Sequence, residues 1–161
     1  MHVLISDANI LIDLEVGGII EGMFDLPYEF ITPDILFEQE LRRNHAHLLN
    51  LGLRLGELTG ESMMYAYELN AQNSQPSLND AFALALAKQK NCPLLTGDLN
   101  LRKMAESEAV IVKGTLWLVE QLVIHSVISI EVALSAYDQM ANHGRRLPFD
   151  MAKKRINEVV Q

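Results

Sequence analysis

Short apolar runs, each stopped by a polar residue, alternate along this chain with stretches of helical spacing, and that alternation limits the fold more than any other feature. Val3–Ser6 ends at Asp7, as a buried strand would. Ala8–Leu14 then carries apolar residues at helical spacing until Gly17 and Gly18 interrupt it before Ile19–Phe24. Tyr28–Ile31 reads as a second strand. Thr32 and Pro33 predict a helix start, with Thr as cap and Pro at the first helical position, running to about Asn44. Leu51–Leu58 is compatible with a short strand. Thr59 or Ser62 opens a helix to about Gln72, and Ser77 caps an alanine-rich helix to about Lys90. Pro93–Thr96 is strand-like, Leu99–Ser107 helical, and Val110–Val112 a further strand. Gly114 precedes a helix to about His125, Ser129 caps one ending at His143 and Gly144, and Pro148 precedes a last helix. The fold class is therefore α/β, with a central, mainly parallel sheet flanked by helices and a helical C-terminal extension.

The chain has 161 residues, enough for one domain with a core of its own. Apolar residues reach 49% and exclude wholesale disorder, while aromatics stay at 6%, so the core rests on Leu, Ile, Val, Ala and Met. The 13 Lys and Arg against 21 Asp and Glu leave a net charge of −8, which argues against holding nucleic acid by a broad basic face alone. A bound divalent cation reverses the local sign of an acidic site, so nucleic-acid chemistry is not excluded. Cys92 is the only cysteine, which leaves no intrachain disulfide or thiolate-rich zinc site and suits a reducing compartment. Asp7 follows the first apolar run without a basic leader, and Glu120, Gln121 and His125 break the apolar stretch near Leu116–Ile130. A cytoplasmic protein without a membrane span is expected.

The acids fall where an open α/β sheet would use them. Ligands bind such sheets at the carboxyl ends of the strands. Asp7 directly follows the first strand, Glu38 lies about two turns into the helix after the second, Asp80 opens the alanine-rich helix, and Asp98 follows the Pro93–Thr96 strand across one glycine. Converging carboxylates repel one another unless neutralised, and Mg²⁺ or Mn²⁺ is the usual counterion. Each acid also has a plain structural role available. Asp7 and Asp98 suit helix N-caps, Ser77 to Asp80 fits a capping box, and Glu38 can pair with Arg42 one turn on. Capping and ligation need not exclude one another. Asp34 and Glu38 are like charges at helical spacing, and Asn9 and Asn100 add neutral oxygens two residues after Asp7 and Asp98.

With these residues in place the chain resembles the PIN-domain nucleases. Ser6-Asp7-Ala8-Asn9-Ile10-Leu11-Ile12-Asp13 looks like their opening motif and Asn79-Asp80-Ala81-Phe82-Ala83-Leu84-Ala85-Leu86-Ala87 like their central acidic helix. Leu94-Leu95-Thr96-Gly97-Asp98-Leu99-Asn100-Leu101 is similar to their strand-to-acid motif, and Gly114-Thr115-Leu116-Trp117 to a glycine-threonine motif of a subgroup. The ordered set spans about Met1–His125. The resemblance implies a PIN-like three-layer sandwich over residues 1–125, with residues 126–161 as a helical extension packed on it. It implies a Mg²⁺- or Mn²⁺-dependent endoribonuclease, expected as the VapC-like toxin of a toxin–antitoxin pair, with RNA as substrate, a cognate antitoxin as partner and a homodimer as assembly. Carried over, Asp7, Glu38, Asp80 and Asp98 match the acidic, metal-binding quartet, Asn9 and Thr96 its polar neighbours, and Asn100 a position often acidic. Glu40 lies close to the expected second acid too, with Glu38 preferred.

Arg42, Arg43, Arg102 and Lys103 lie near the acidic edge as candidate contacts to RNA phosphates, although surface ion pairs are an equally simple reading. Arg145, Arg146, Lys153, Lys154 and Arg155 form a basic segment that reads first as a solvated face and second as a contact to RNA phosphates or a partner. His45 and His47, two apart, do not share a helix face and read as a solvated helix end. Met63, Met64, Tyr65 and Tyr67 suit core or an oligomer surface, and Trp117 suits core. The competing function is a catalytically silent PIN-fold protein-binding module, favoured if Asn100 and a misplaced Glu38 weaken metal binding. A haloacid-dehalogenase phosphatase would need a second acid where Asn9 stands.

Overall fold

Every strand of the computed structural model, which describes residues 2–159, runs parallel to its neighbours. β1 (His2–Ser6), β2 (Tyr28–Pro33), β3 (Arg54–Gly56), β4 (Leu94–Leu95) and β5 (Val112–Lys113) lie in the order β3-β2-β1-β4-β5. Ile5 stands opposite Ile31 on one side and Leu94 on the other, so β1 is the central strand. Parallel neighbours require crossovers, and helices supply them. α1 (Ala8–Val16) and α2 (Ile20–Met23) lead to β2. α3 (Asp34–Leu36), a π-helical turn (Phe37–Leu41), α4 (Arg42–His45) and α5 (Leu48–Leu51) lead to β3. α6 (Gly60–Gln72) and α7 (Leu78–Lys90) bring the chain back to β4, and α8 (Leu99–Ser107) joins β4 to β5. α9 (Thr115–Ile124), α10 (Ile130–Asn142) and α11 (Phe149–Asn157) follow.

The chain steps outward from β1 to β3 and then returns across the sheet, so the usual right-handed crossovers put α1 and α7 on opposite faces, while α3 at the end of β2 meets α7. Ala81 to Ala87 of α7 are all buried, because this helix packs on β1, β2 and β4 with α6 and α8 beside it. A side chain at Gly56 would come within 2.7 Å of Leu86, so glycine lets β3 pass close under α7. On the other face α1 packs with α2, α9 and α10. A Cβ at Gly17 would lie 2.8 Å from Met140, and that close approach seats α10 against the end of α1. Buried Tyr137 meets Phe149 edge to face at 6.4 Å and joins α10 to α11. Among the described residues no helix is long and apolar enough to cross a membrane.

The structure corrects the expected helix start at Thr32 and Pro33. Both belong to β2, where Pro33 pairs with Gly56 and the Thr32 hydroxyl donates to the Ser6 carbonyl at 2.9 Å, tying β2 to β1. The helix begins instead at Asp34, and it widens into the π-helical turn before continuing. That wide turn keeps Phe37 and Leu41 buried, while Glu38, Gln39 and Glu40 stay solvent-exposed to different extents along its outer side. β4 is shorter than the Pro93–Thr96 run, and β5 begins at Val112 rather than Val110. The order of strands reverses between β1 and β4, where an α/β sheet opens its binding crevice.

Candidate active site

Asp7 leaves β1 directly into this crevice. Its backbone N–H donates to the Leu95 carbonyl of β4 at 3.0 Å, and its Oδ1 accepts the Ile10 N–H at 3.0 Å as the cap of α1. Its Oδ2 accepts a 2.5 Å hydrogen bond from the Thr96 hydroxyl. Thr96 in turn accepts the Asp98 N–H at 3.0 Å, so one buried hydroxyl ties the two strand-end acids together. Asp98 caps α8, its Oδ1 accepting the Leu101 N–H at 2.8 Å. Asp7 is only 2% exposed. Burial pushes its carboxyl up to about 7, against the lowering effect of its two hydrogen bonds and with a smaller raising contribution from the charge of Asp80.

Asp80 opens α7 in a capping box: its N–H donates to Ser77 Oγ at 3.1 Å and its Oδ2 accepts the Ser77 N–H at 3.0 Å. A cap stabilises the charged form, yet the carboxyl is still raised, first by burial and also by the charge of Asp98. The first turn of α7 meets the π-helical turn through Asn79, whose amide donates to Gln39 Oε1 at 3.0 Å. Glu40 there is raised by burial of its carboxyl and then by Asp80, with Asn79 opposing. Glu38 points elsewhere. It accepts from Arg42 Nε at 2.6 Å on the exposed side of the turn, and that hydrogen bond lowers its carboxyl. Asp80 thus shares electrostatic contact with each of Asp7, Asp98 and Glu40, and Glu38 is left paired with Arg42.

The polar neighbours divide between different walls. Asn9 turns its Oδ1 to Arg145 Nη2 at 3.3 Å. Asn100 and Lys103 line a groove against the Gln72–Pro76 segment, whereas Arg102 lines a different one beside Lys113 and Trp117. Arg42 lies over the Phe37 ring at 5.3 Å, and Arg43 is exposed. His45 and His47 both pair with Glu15. Sequence reasoning gives no role to Asp13, which is buried inside α1. Its carboxylate accepts from the Thr115 hydroxyl at 2.8 Å and from Arg145 Nε at 2.6 Å, so it fastens the start of α9 and the segment after α10 to the edge of the crevice. An acid inside the apolar run Ile10–Leu14 is the signal that could have found it, because a buried carboxylate requires partners.

Carboxylate oxygens are the donor type that a hard divalent cation takes. Asp80 raises Asp7 and Glu40, and Asp98 raises Asp80, so the carboxylates repel one another as they stand. Asp80 Oδ1 and Asp98 Oδ2 accept no protein hydrogen bond among the described residues, while the sister oxygens are held by backbone amides. Fixed carboxylates with a free oxygen each are what Mg²⁺ or Mn²⁺ takes, usually with several waters retained. Among the described residues, however, no three Asp, Glu, His or Cys side chains stand close enough together to hold a metal ion as they are.

No curated protein and no solved structure gives a significant match to the chain. A family model described as a PIN domain matches residues 3–161, which takes in all five strands but the first residue of β1 and every acid of the crevice. The parallel order β3-β2-β1-β4-β5, the threonine-bridged acids at its reversal point and this match agree: the chain belongs to the PIN-domain family, a family of nucleases.

Proposed function

We propose that the protein is a metal-dependent endoribonuclease that hydrolyses RNA phosphodiesters at the crevice between β1 and β4. The observation that carries this reading is the pair Asp7 and Asp98 held by Thr96, with Asp80 facing them across the reversal point of the sheet. Asp7, Asp80 and Asp98 would hold Mg²⁺ or Mn²⁺, with Glu40 as the fourth carboxylate; Glu38 would join only by leaving Arg42. When bound, the metal would supply Lewis-acid activation of a water and stabilise the leaving oxygen. Thr96 fixes the Asp7 carboxylate so that its orientation does not depend on a bound ligand. The raised Asp7 carboxyl keeps a proton near neutral pH without a cation, which limits self-repulsion in the empty crevice.

The wider reading is a VapC-like toxin of a toxin–antitoxin pair, acting in the cytoplasm. A homodimer assembled on α6 is part of it, since Met64 and Tyr67 are 64% and 51% exposed on that helix. RNA incubated with purified protein and Mn²⁺, with and without excess EDTA, tests the central activity. Cleavage that needs the metal supports the reading, and undiminished cleavage in EDTA refutes it.

A further inference from the structure

Basic residues are scarce here, 13 against 21 acids, yet they gather beside the crevice. A groove of about 350 Å³ runs from Gly97 and Asp98 to the segment after α10, lined there by Arg145 and Arg146. A second groove of about 340 Å³ adjoins it, sharing Gly97 and Leu147; among the described residues its lining includes Arg102, Lys113 and Arg155 and no Asp or Glu. Arg155 is engaged by Glu120 at 2.7 Å, and Arg145 by Asp13. Among the described residues Lys113, Arg102 and Arg146 form no ion pair.

The second groove also has an apolar side. The half-buried ring of Trp117 lines it, with Lys113 Nζ 5.7 Å from the ring centroid, and so does Met151, which is 53% exposed. Cations for phosphates beside apolar and aromatic surface for bases is the combination that holds a single strand. A duplex keeps its bases inside and has no use for the apolar wall.

We propose that the seam between the sheet domain and its C-terminal helices is the track for single-stranded RNA, which passes Arg146 at the crevice and continues over Lys113 and Trp117. This deepens the nuclease reading, on which it rests, by naming the strand's path. It also gives the C-terminal region a function: the segment after α10 and the α11 helix supply one wall of the groove.

Fluorescence anisotropy of the full chain with a labelled oligouridylate of about a dozen nucleotides, in EDTA so that nothing is cut, tests the path. Arg146→Gln and Lys113→Gln should each weaken binding and lower the slope of log affinity against log salt by about 0.7. Lys90→Gln, at the far end of α7, should change neither. Photo-crosslinking with 5-iodouridine in the wild-type chain should label peptides containing Trp117 or Met151. Unchanged affinity and slope in both variants, no binding by the wild type at low salt, or crosslinks confined elsewhere would overturn the track, and unchanged RNA binding would leave the groove to a protein partner. If the wild type cleaves with Mn²⁺ while both variants bind and cut normally, the track fails and the nuclease reading stands. Binding with the expected slopes but no cleavage would keep the track and remove the nuclease reading.

Discussion

Replacing Asp7 with asparagine removes a charge that the metal-free fold holds at a cost. The folded carboxyl titrates near 7 against an ordinary 3.8, which at ~1.4 kcal/mol per pKa unit is about 4 kcal/mol above neutrality. Between about pH 4 and pH 7 the folded chain keeps a proton that the unfolded chain has already lost. Stability contributed by this group therefore falls as pH rises through that window and stays low above it. Asparagine never ionises and caps a helix about as well as aspartate, so the Ile10 N–H keeps an acceptor. The charged acceptor of the Thr96 hydroxyl is lost, at about 1 kcal/mol. At about pH 8 in EDTA the variant should be about 3 kcal/mol more stable than wild type, a rise in Tm of roughly 6–12 °C for a domain of this size. Thermal and urea unfolding across about pH 4 to pH 8 should show the gap widening with pH. A gap that is absent, reversed or constant with pH would refute the reasoning. Mn²⁺ should then raise the Tm of wild type far more than that of the variant, since only the wild type presents the full charge to the ion.

Asp80→Asn should be no less stable than wild type without metal, because burial and the charge of Asp98 outweigh the cap; RNA cleavage should fall by orders of magnitude, and a destabilised but active variant would return Asp80 to a capping role. Glu40→Gln should reduce cleavage much more than Glu38→Gln, measured as initial rates with Mn²⁺, and the opposite ranking would show that Glu38 leaves Arg42 to enter the site. Met64→Glu should shift the light-scattering mass from dimer to monomer without changing the circular dichroism spectrum, and a wild type that is monomeric at micromolar concentration would remove α6 as an interface.

Most of the fold is legible because the elements carry local signals. Ser77, Thr59 and Ser129 cap the helices that their positions predict, and the apolar runs become parallel strands. Thr32 and Pro33 mislead because the same pair suits a helix start and a strand end, and a contact 26 residues away, to the Ser6 carbonyl, decides between them. The direction of Glu38 depends on the π-helical turn, whose extra residue changes the facing of 38–40; no local propensity announces it. Arg145 and Asp13 are 132 residues apart, so their pairing emerges only once α10 is seated on Gly17. Residues such as Asp7 and Asp98 read as caps and as clustered acids, and in the structure their caps are formed while Asp7 and Asp80 are raised first by burial and then by neighbouring acids.

The central claim is that these carboxylates act through a metal on an RNA phosphodiester, and the chemistry of the cut ends reports on it most directly. Hydrolysis by a metal-activated water, with the 3′-oxygen as the leaving group, would give a 5′-phosphate and a 3′-hydroxyl without a side-chain nucleophile. Mass spectrometry of the products of an RNA cut in Mn²⁺ should find those ends with the wild-type chain and none of them with Asp98→Asn. Ends carrying a 2′,3′-cyclic phosphate, formed equally in EDTA, would contradict the account.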